Sequence, residues 1–223
     1  VAIIKYNLAL LEKSRKEETQ FIHQIHQVTQ GVIQTFTGLG QEGVVAKNLL
    51  QASTFLQTGR LNEAKSLFHE VLEVYEKGYE KQGKALVLYN LGLIAQGEGD
   101  PNSALEYYRK SLGIAQELQD RTGLILLHSS IGMAYLQSEC YGLARPFLEQ
   151  CVSLLREDGD QERLADALYW LGYSLANTES LQDAESAFVE SRTIFLNRDP
   201  RRVEDVNEVL AKLREVFQKQ NLE

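Results

Sequence analysis

The chain holds few side chains whose type and spacing suit metal binding. His23 and His26 stand three residues apart, a spacing that places two imidazoles on one face of a helix. A zinc site needs at least three protein ligands, and no third ligand accompanies this pair. We therefore interpret the pair as solvated or packing histidines. His69 and His128 fall inside predicted helices and are interpreted as structural.

Thiols and carboxylates do not form a catalytic set either. Cys140 and Cys151 are too few for a disulfide framework, and neither has metal-site spacing or a nearby histidine to activate it. Acidic pairs such as Glu17-Glu18 are typical of solvated helix faces, and no glycine-rich phosphate loop occurs. The sequence therefore predicts no catalytic residues, no metal and no cofactor, and a protein that is not an enzyme.

The composition is typical of a folded, helical and acidic protein. Of 223 residues, 43% are hydrophobic and 24% charged, and only 3 are proline. The net charge of −8 argues against a nucleic-acid partner, because phosphates are bound by surfaces rich in Lys and Arg. No stretch approaches the roughly 20 apolar residues that span a bilayer, and no secretory signal is present. We expect no membrane partner and a cytoplasmic location.

A period of 40 residues runs through most of the chain. Alanine recurs at this interval at Ala64, Ala104, Ala144 and Ala184. Twelve residues before each alanine stands a small residue: Ala52, Gly92, Gly132 and Gly172. Four residues after each alanine stands a large one: Phe68, Tyr108, Leu148 and Phe188. Two helices approach closely only where a side chain is nearly absent, so this pattern predicts repeated helix crossings.

Apolar spacing and helix-start signals divide each repeat into two helices. The leucines at 164, 168, 171 and 175 have spacings of 4, 3 and 4, which predict a first helix with one buried stripe. Asp100-Pro101 provides a capping carboxylate followed by a proline, which marks the start of a second helix. We predict four antiparallel helix pairs over 41–196, at about 41–78, 81–118, 121–157 and 161–197.

These residues resemble the tetratricopeptide repeat. The resemblance rests on Leu91-Gly92 with Gly99-Asp100, Ala104 and Tyr108, and on Ile131-Gly132 with Tyr135, Tyr141 and Ala144. It covers about residues 46 to 196, with a period of 40 instead of the usual 34. The long repeats look like those of kinesin light chains, Leu-Gly-Asn-type polarity adaptors and bacterial peptide-sensing regulators. The resemblance implies an all-α fold, a right-handed superhelical solenoid of antiparallel helix pairs.

Both ends of the chain lie outside the four predicted pairs. Residues 1–38 are predicted to form an amphipathic helix or a degenerate repeat, because apolar residues recur there at spacings of 3 and 4. Its apolar face must be buried, and one hypothesis is a homo-oligomer formed through residues 1–36. Residues 200–220 are predicted to form a capping helix that covers the last repeat, as solenoids require.

The resemblance also implies a concave groove lined by the first helix of each pair. The candidate partner-binding residues are Tyr89, Asn90, Leu93, Leu126, Ser130, Met133, Tyr169, Trp170 and Tyr173. In some relatives an Asn at the position of Asn90 hydrogen-bonds the backbone of a bound peptide. Independently of the resemblance, Tyr169, Trp170 and Tyr173 lie off the leucine stripe and form an aromatic face. Either a partner binds this face or another part of the chain covers it.

The predicted function is a protein-protein interaction module. An adaptor or scaffold would hold a peptide or amphipathic helix in the groove, without the Lys and Arg set that clamps a C-terminal carboxylate. A first alternative is a bacterial-type sensor of a signalling peptide, coupled to a flanking domain. A second alternative is a structural subunit of a stable assembly, in which these faces are permanently buried.

Overall fold

A computed structural model describes residues 40–78, 81–178 and 180–220 of the protein. Within these ranges the fold is all-α, and no strand occurs among them. The helices are α1 (Gly40–Gln57), α2 (Leu61–Lys77), α3 (Lys81–Gly97), α4 (Pro101–Leu118), α5 (Arg121–Gln137), α6 (Tyr141–Asp158), α7 (Gln161–Ala176), α8 (Leu181–Arg198) and α9 (Pro200–Gln220). The helix and the oligomer contact predicted for residues 1–38 lie outside the described residues.

The helices fall into two compact units that divide between Asp100 and Pro101. In the first unit, α2 packs against both α1 and α3. In the second unit, each helix from α4 to α9 packs against the next one along the chain, and α5 also contacts α7. The all-α repeat fold predicted from the sequence is confirmed, and the division into four pairs stays our proposal.

The residues of the 40-residue period form the centre of the core. The four alanines at 64, 104, 144 and 184 are completely buried, and the four large residues that follow them are at most 1% exposed. A Cβ added to Gly132 would lie 2.7 Å from Leu148, and one added to Gly172 would lie 3.0 Å from Phe188. In the second unit, therefore, each of these glycines allows the large side chain of the next helix to pack directly on its backbone.

Buried side chains also hydrogen-bond neighbouring helices to one another. The Ser191 hydroxyl of α8 donates to the Ala165 carbonyl of α7 over 2.7 Å. Forty residues earlier, the Cys151 thiol of α6 donates to the Ile125 carbonyl of α5 over 3.6 Å. Because a helix carbonyl can accept a second hydrogen bond, these donors are satisfied without breaking either helix. The period therefore specifies polar contacts between helices as well as apolar ones.

Two helices of the second unit begin at a capping aspartate. The Asp160 carboxylate accepts hydrogen bonds from the Arg163 backbone N–H at 3.0 Å and from the Arg163 Nε at 2.6 Å. Asp120 accepts from the Gly123 backbone N–H at 3.0 Å in the same way. Burial alone would raise the pKa of Asp160, but the hydrogen bonds from Arg163 outweigh it and the pKa is lowered. These caps fix the starts of α5 and α7, the helices that carry most of the candidate site.

The last helix, α9, packs against α8 with three buried apolar side chains, Val206, Leu210 and Leu213. Its Arg202 forms an ion pair with Asp166 of α7. The Arg202 guanidinium also lies 4.5 Å from the centre of the Phe195 ring. α9 is thus joined to both helices of the preceding pair.

Candidate partner-binding surface

Half-buried side chains at equivalent positions of α5 and α7 form the candidate surface of the second unit. On each helix three of them follow spacings of 4 and 3, so they share one side of that helix. α5 and α7 also contact one another, which brings the two rows together. We call this surface the first-helix face; it consists of Leu126, Ser130 and Met133 on α5 and Asp166, Trp170 and Tyr173 on α7.

Aromatic rings fix the geometry of the first-helix face. The Trp170 and Tyr173 rings are nearly perpendicular, at 82°, with centroids 6.4 Å apart. The Tyr141 ring of α6 meets Tyr173 edge to face at 5.9 Å. Such T-shaped pairs are the preferred arrangement of aromatic rings, so Trp170 and Tyr173 hold each other in a defined orientation. The sequence indicates Tyr141 only as a residue of the repeat, and its place beside Tyr173 comes from the contact of α6 with α7.

Tyr169 has a different environment from its two neighbours. It is 2% exposed, and its ring packs edge to face on Phe188 at 5.6 Å and on Trp170 at 5.1 Å. Its ring therefore belongs to the core between α7 and α8 and contacts the Trp170 indole. The sequence pattern placed all three aromatic residues on one face, whereas the structure leaves only Trp170 and Tyr173 half-buried.

The remaining candidates, Tyr89, Asn90 and Leu93, lie on α3 in the first unit. Tyr89 and Asn90 are each 2% exposed, and Leu93 is half-buried. The Asn90 Nδ2 donates to the Leu86 carbonyl of its own helix over 2.8 Å. The Asn90 Oδ1 is buried and accepts no hydrogen bond from the described residues. One end of the Asn90 amide is thus bonded within α3, and the other is an acceptor to which no described residue donates.

The charges around the first-helix face are few. Among its six residues only Asp166 is charged, and it is paired with Arg202 of α9. The Arg202 side chain is 17% exposed and that of Asp166 36%. Leu126, Met133, Trp170 and Tyr173 make most of the face apolar or aromatic. This composition suits apolar contacts rather than recognition of a carboxylate.

His128 and Cys151 are held in packing roles. The His128 ring packs against Phe147 at 5.9 Å, and burial lowers the pKa of His128. Burial raises the pKa of the Cys151 thiol to about 12, so the thiol stays protonated and is a poor nucleophile. Within the described ranges, no group of three or more His, Cys, Asp or Glu side chains is placed to hold a metal ion. His23 and His26 lie outside those ranges.

Comparison with known proteins identifies the repeat. Residues 44–117 match the family model described as tetratricopeptide repeat, which confirms the predicted resemblance. Over 66 residues the chain is 38% identical to the photosystem I assembly protein Ycf3 of two Prochlorococcus marinus strains, MIT 9301 and MIT 9215. That match covers 28% of this chain and 38% of Ycf3, so the chain spans well under half the length of these relatives.

Solved structures show the same fold over most of the chain. BtubC (BKLC) from P. vanneervenii has a TM-score of 0.70 at 14% identity, covering 88% of this chain and 84% of its own. Nearly identical TPR-like repeats from Podosopora anserina have a TM-score of 0.62 at 15% identity, covering 78% and 92%. At such identities the likeness concerns the fold alone.

Fold and repeat together define the class of protein. Tetratricopeptide repeats build α-helical scaffolds that bind other proteins, and the repeat fold is generally a non-catalytic interaction module. The protein is thus an all-α helical-repeat protein whose residues 44–117 match the tetratricopeptide repeat. None of its described helices has the length and hydropathy of a membrane-spanning helix.

Proposed function

We propose that the first-helix face binds a peptide or an amphipathic helix of another protein, with Trp170 and Tyr173 at the centre of the contact. The observation that carries this proposal is the pair of half-buried, perpendicular rings of Trp170 and Tyr173 beside the buried Tyr169. Trp and Tyr are the residues most enriched at the energetic centres of protein interfaces. Because the two rings are already oriented by their neighbours, binding costs little side-chain entropy.

The composition of the face indicates the chemistry of its partner. Leu126, Met133 and the two rings favour apolar side chains, and Met adapts easily to different partner shapes. Ser130 and Asp166 add polar groups at the edge, where hydrogen bonds set orientation. An amphipathic helix with apolar residues at spacings of 3 and 4 has this character, and so does an extended apolar segment.

Tyr169 and the residues of α3 have different parts in this proposal. Tyr169 acts as a positioning residue, because its ring packs between Trp170 and Phe188. On α3, Leu93 is the half-buried candidate for apolar contact in the first unit. The Asn90 Oδ1 is an acceptor for a backbone N–H of a bound segment, provided that α3 becomes accessible on binding.

Affinity capture from cells of the source organism tests the proposal. The protein and a Trp170→Ala/Tyr173→Ala variant serve as baits, and bound proteins are identified by mass spectrometry. Leu143→Ala is a matched control. Leu143 is 56% exposed on α6, so this substitution removes apolar surface outside the first-helix face. We expect a partner that binds wild type and Leu143→Ala but is lost with the double variant. Partners that bind all three baits equally would contradict the proposal.

A second candidate function is help in assembling a larger complex. The relatives matched over 66 residues are named as assembly proteins of photosystem I. An assembly factor releases its client, whereas a permanent subunit does not. If the protein is an assembly factor, the captured partner should dissociate within minutes when it is chased with unlabelled partner. A partner that never exchanges would instead favour the structural-subunit alternative.

A further inference from the structure

The second unit also has a groove on a different side of its helices from the first-helix face. α6 and α8 form the two walls of a groove of about 480 Å³, and α7 forms its floor. Leu168, Leu171 and Leu175 of α7 lie at the bottom, with Ala187 of α8 beside them. We call this surface the second-helix groove. It shares no residue with the first-helix face.

The groove exists because an aromatic side chain is missing. Forty residues before Ala187 stands Phe147, whose ring packs on Tyr135 at 5.8 Å and on His128 at 5.9 Å. Phe147 thus occupies, over α5, the space that is open over α7. At the positions of Tyr135 and His128 the later repeat has leucines, so no ring fills the space that Ala187 leaves. The open space over α7 is therefore tied to Ala187 and the leucines of this repeat.

The lining of the groove holds more carboxylates than guanidiniums, as well as apolar side chains. Four carboxylates and one guanidinium line it: Glu149, Glu157, Asp183, Glu190 and Arg156. The positions 40 residues earlier carry balanced charge: Arg109, Glu117, Leu143, Gln150 and Gln116. Arg109 there hydrogen-bonds the Tyr135 hydroxyl, so the earlier position is occupied by a cation of the chain itself. The acidic rim and the open space occur together in the later repeat.

The charges of the rim are accessible to a partner. Arg156 pairs with Glu190 at 2.7 Å, with side chains 55% and 42% exposed. Arg145 pairs with Glu149 at 2.7 Å, at 40% and 44% exposure, and Arg121 pairs with Glu157 at 3.1 Å, at 42% and 64% exposure. Exposed ion pairs contribute little to stability. A cation of the partner can therefore replace the arginine in such a pair at a small cost in free energy.

We propose that the second-helix groove is a docking site for a segment of another protein in which a Phe- or Leu-sized side chain is flanked by Lys or Arg. The apolar side chain fills the space that Phe147 fills in the preceding repeat. The flanking cations pair with the carboxylates of the rim, which sets the orientation and speeds association. A second copy of this chain is a poor occupant, because each copy carries a net charge of −8.

Two fluorescein-labelled synthetic helical peptides test this proposal by fluorescence anisotropy with the full chain. Both have about 12 residues, or three helical turns, with one Phe and two Leu on one face. One peptide carries Arg and Lys at the other positions and the second carries Glu. We expect the basic peptide to bind and the acidic one not to bind. No binding of the basic peptide at a concentration of roughly 1 mM, the weak end of the affinity scale, would overturn the proposal.

The decisive variant is Ala187→Phe, which restores the ring of the preceding repeat without changing charge. We expect Ala187→Phe to lower the affinity for the basic peptide at least about tenfold. The melting temperature of the protein should stay unchanged or rise. Ser186→Tyr places a ring in the groove from an exposed position on its wall. This variant replaces Ala187→Phe in the test if Ala187→Phe folds poorly. Equal affinity for both variants and wild type would show a merely electrostatic contact and overturn the proposal.

Two further measurements separate this site from the first-helix face. Glu149→Gln/Asp183→Asn should lower the affinity for the basic peptide several-fold, because two rim charges are lost. The affinity should also depend less on salt concentration. Trp170→Ala should leave its affinity unchanged. Loss of the peptide with Trp170→Ala but not with Ala187→Phe would place it on the first-helix face and contradict the docking site proposed here.

Discussion

Gly172 of α7 and Phe188 of α8 meet so closely that a Cβ on the glycine would lie 3.0 Å from the ring carbons Cδ1 and Cε1. Gly132 and Leu148 repeat this relationship 40 residues earlier, at 2.7 Å. The large residue is almost fully buried in both cases. In both repeats, therefore, the small residue lies on one helix and the large residue that packs on it lies on the next helix.

Gly172→Ala should destabilise the protein. The added Cβ forces Phe188 or the helix to shift, and overpacking of this kind costs about 1–3 kcal/mol. A gain of up to about 1 kcal/mol in helix propensity offsets part of that cost. Urea unfolding followed by circular dichroism measures the change in the free energy of unfolding.

Gly113→Ala is the matched control for this prediction. Gly113 is an exposed glycine inside α4, and a Cβ there meets no atom within 4 Å. We expect stabilisation by about 0.5–1 kcal/mol from helix propensity alone. If Gly172→Ala were as stabilising as Gly113→Ala, the α7–α8 crossing would not depend on a small residue.

Ser191→Ala should cost about 0.5–1.5 kcal/mol, because it removes the buried hydrogen bond to the Ala165 carbonyl. Cys151→Ser at the equivalent position should stay within about 0.5 kcal/mol of wild type, since a hydroxyl donates there as Ser191 does. Thermal melts of the two variants, made in the same buffer, check the difference. Equal losses would show that position 151 requires the size of sulfur.

The two cysteines should differ sharply in reactivity. Cys140 is exposed, whereas Cys151 is 1% exposed and has a pKa raised to about 12 by burial. We expect a thiol reagent such as dithiobis(nitrobenzoic acid) to label one thiol of the native chain and both in denaturant. Fast labelling of two native thiols would mean that α6 opens readily from α5.

The cap at Asp160 should contribute a pH-dependent part of the stability. Asp160→Ala is expected to cost about 1 kcal/mol near neutral pH, through loss of the cap at the start of α7. The pKa of Asp160 in the fold lies below its ordinary value of 3.8, so the carboxylate stabilises the fold above that value. This contribution is lost as the pH falls through the lowered pKa.

Unfolding by urea at pH 7, 5 and 3 measures that dependence. The difference between wild type and Asp160→Ala should be constant at the two higher values and smaller at about pH 3. Asp160→Asn retains an acceptor for the Arg163 N–H and should keep most of the cap without the pH dependence. A difference that stays constant down to pH 3 would show that the charge of Asp160 is irrelevant.

Much of the fold follows from the sequence because helix crossings have a strict steric signature. Ala144 and Ala184 are completely buried, as the period predicts, and the start of α4 at Pro101 follows from a cap and a proline. Packing of this kind is local to a helix and its neighbour, so one chain carries enough information to predict it.

The candidate surfaces depend on contacts that the period does not show. The burial of Tyr169 follows from the position of Phe188, and the place of Tyr141 beside Tyr173 follows from how α6 lies on α7. The second-helix groove arises from a small residue, Ala187, whose importance appears only when three helices are seen together. A position that lacks a large side chain gives no motif that could be recognised in the sequence.

The fluorescence of Trp170 tests the central proposal most directly, because it is the only tryptophan of the chain and lies within the first-helix face. A segment of a captured partner is titrated while the emission maximum and quenching by iodide are recorded. The proposal predicts a shift to shorter wavelength and a clear loss of quenching, since an apolar side chain would cover the half-buried indole. Unchanged emission and quenching at saturating partner would show that the partner binds elsewhere on the protein.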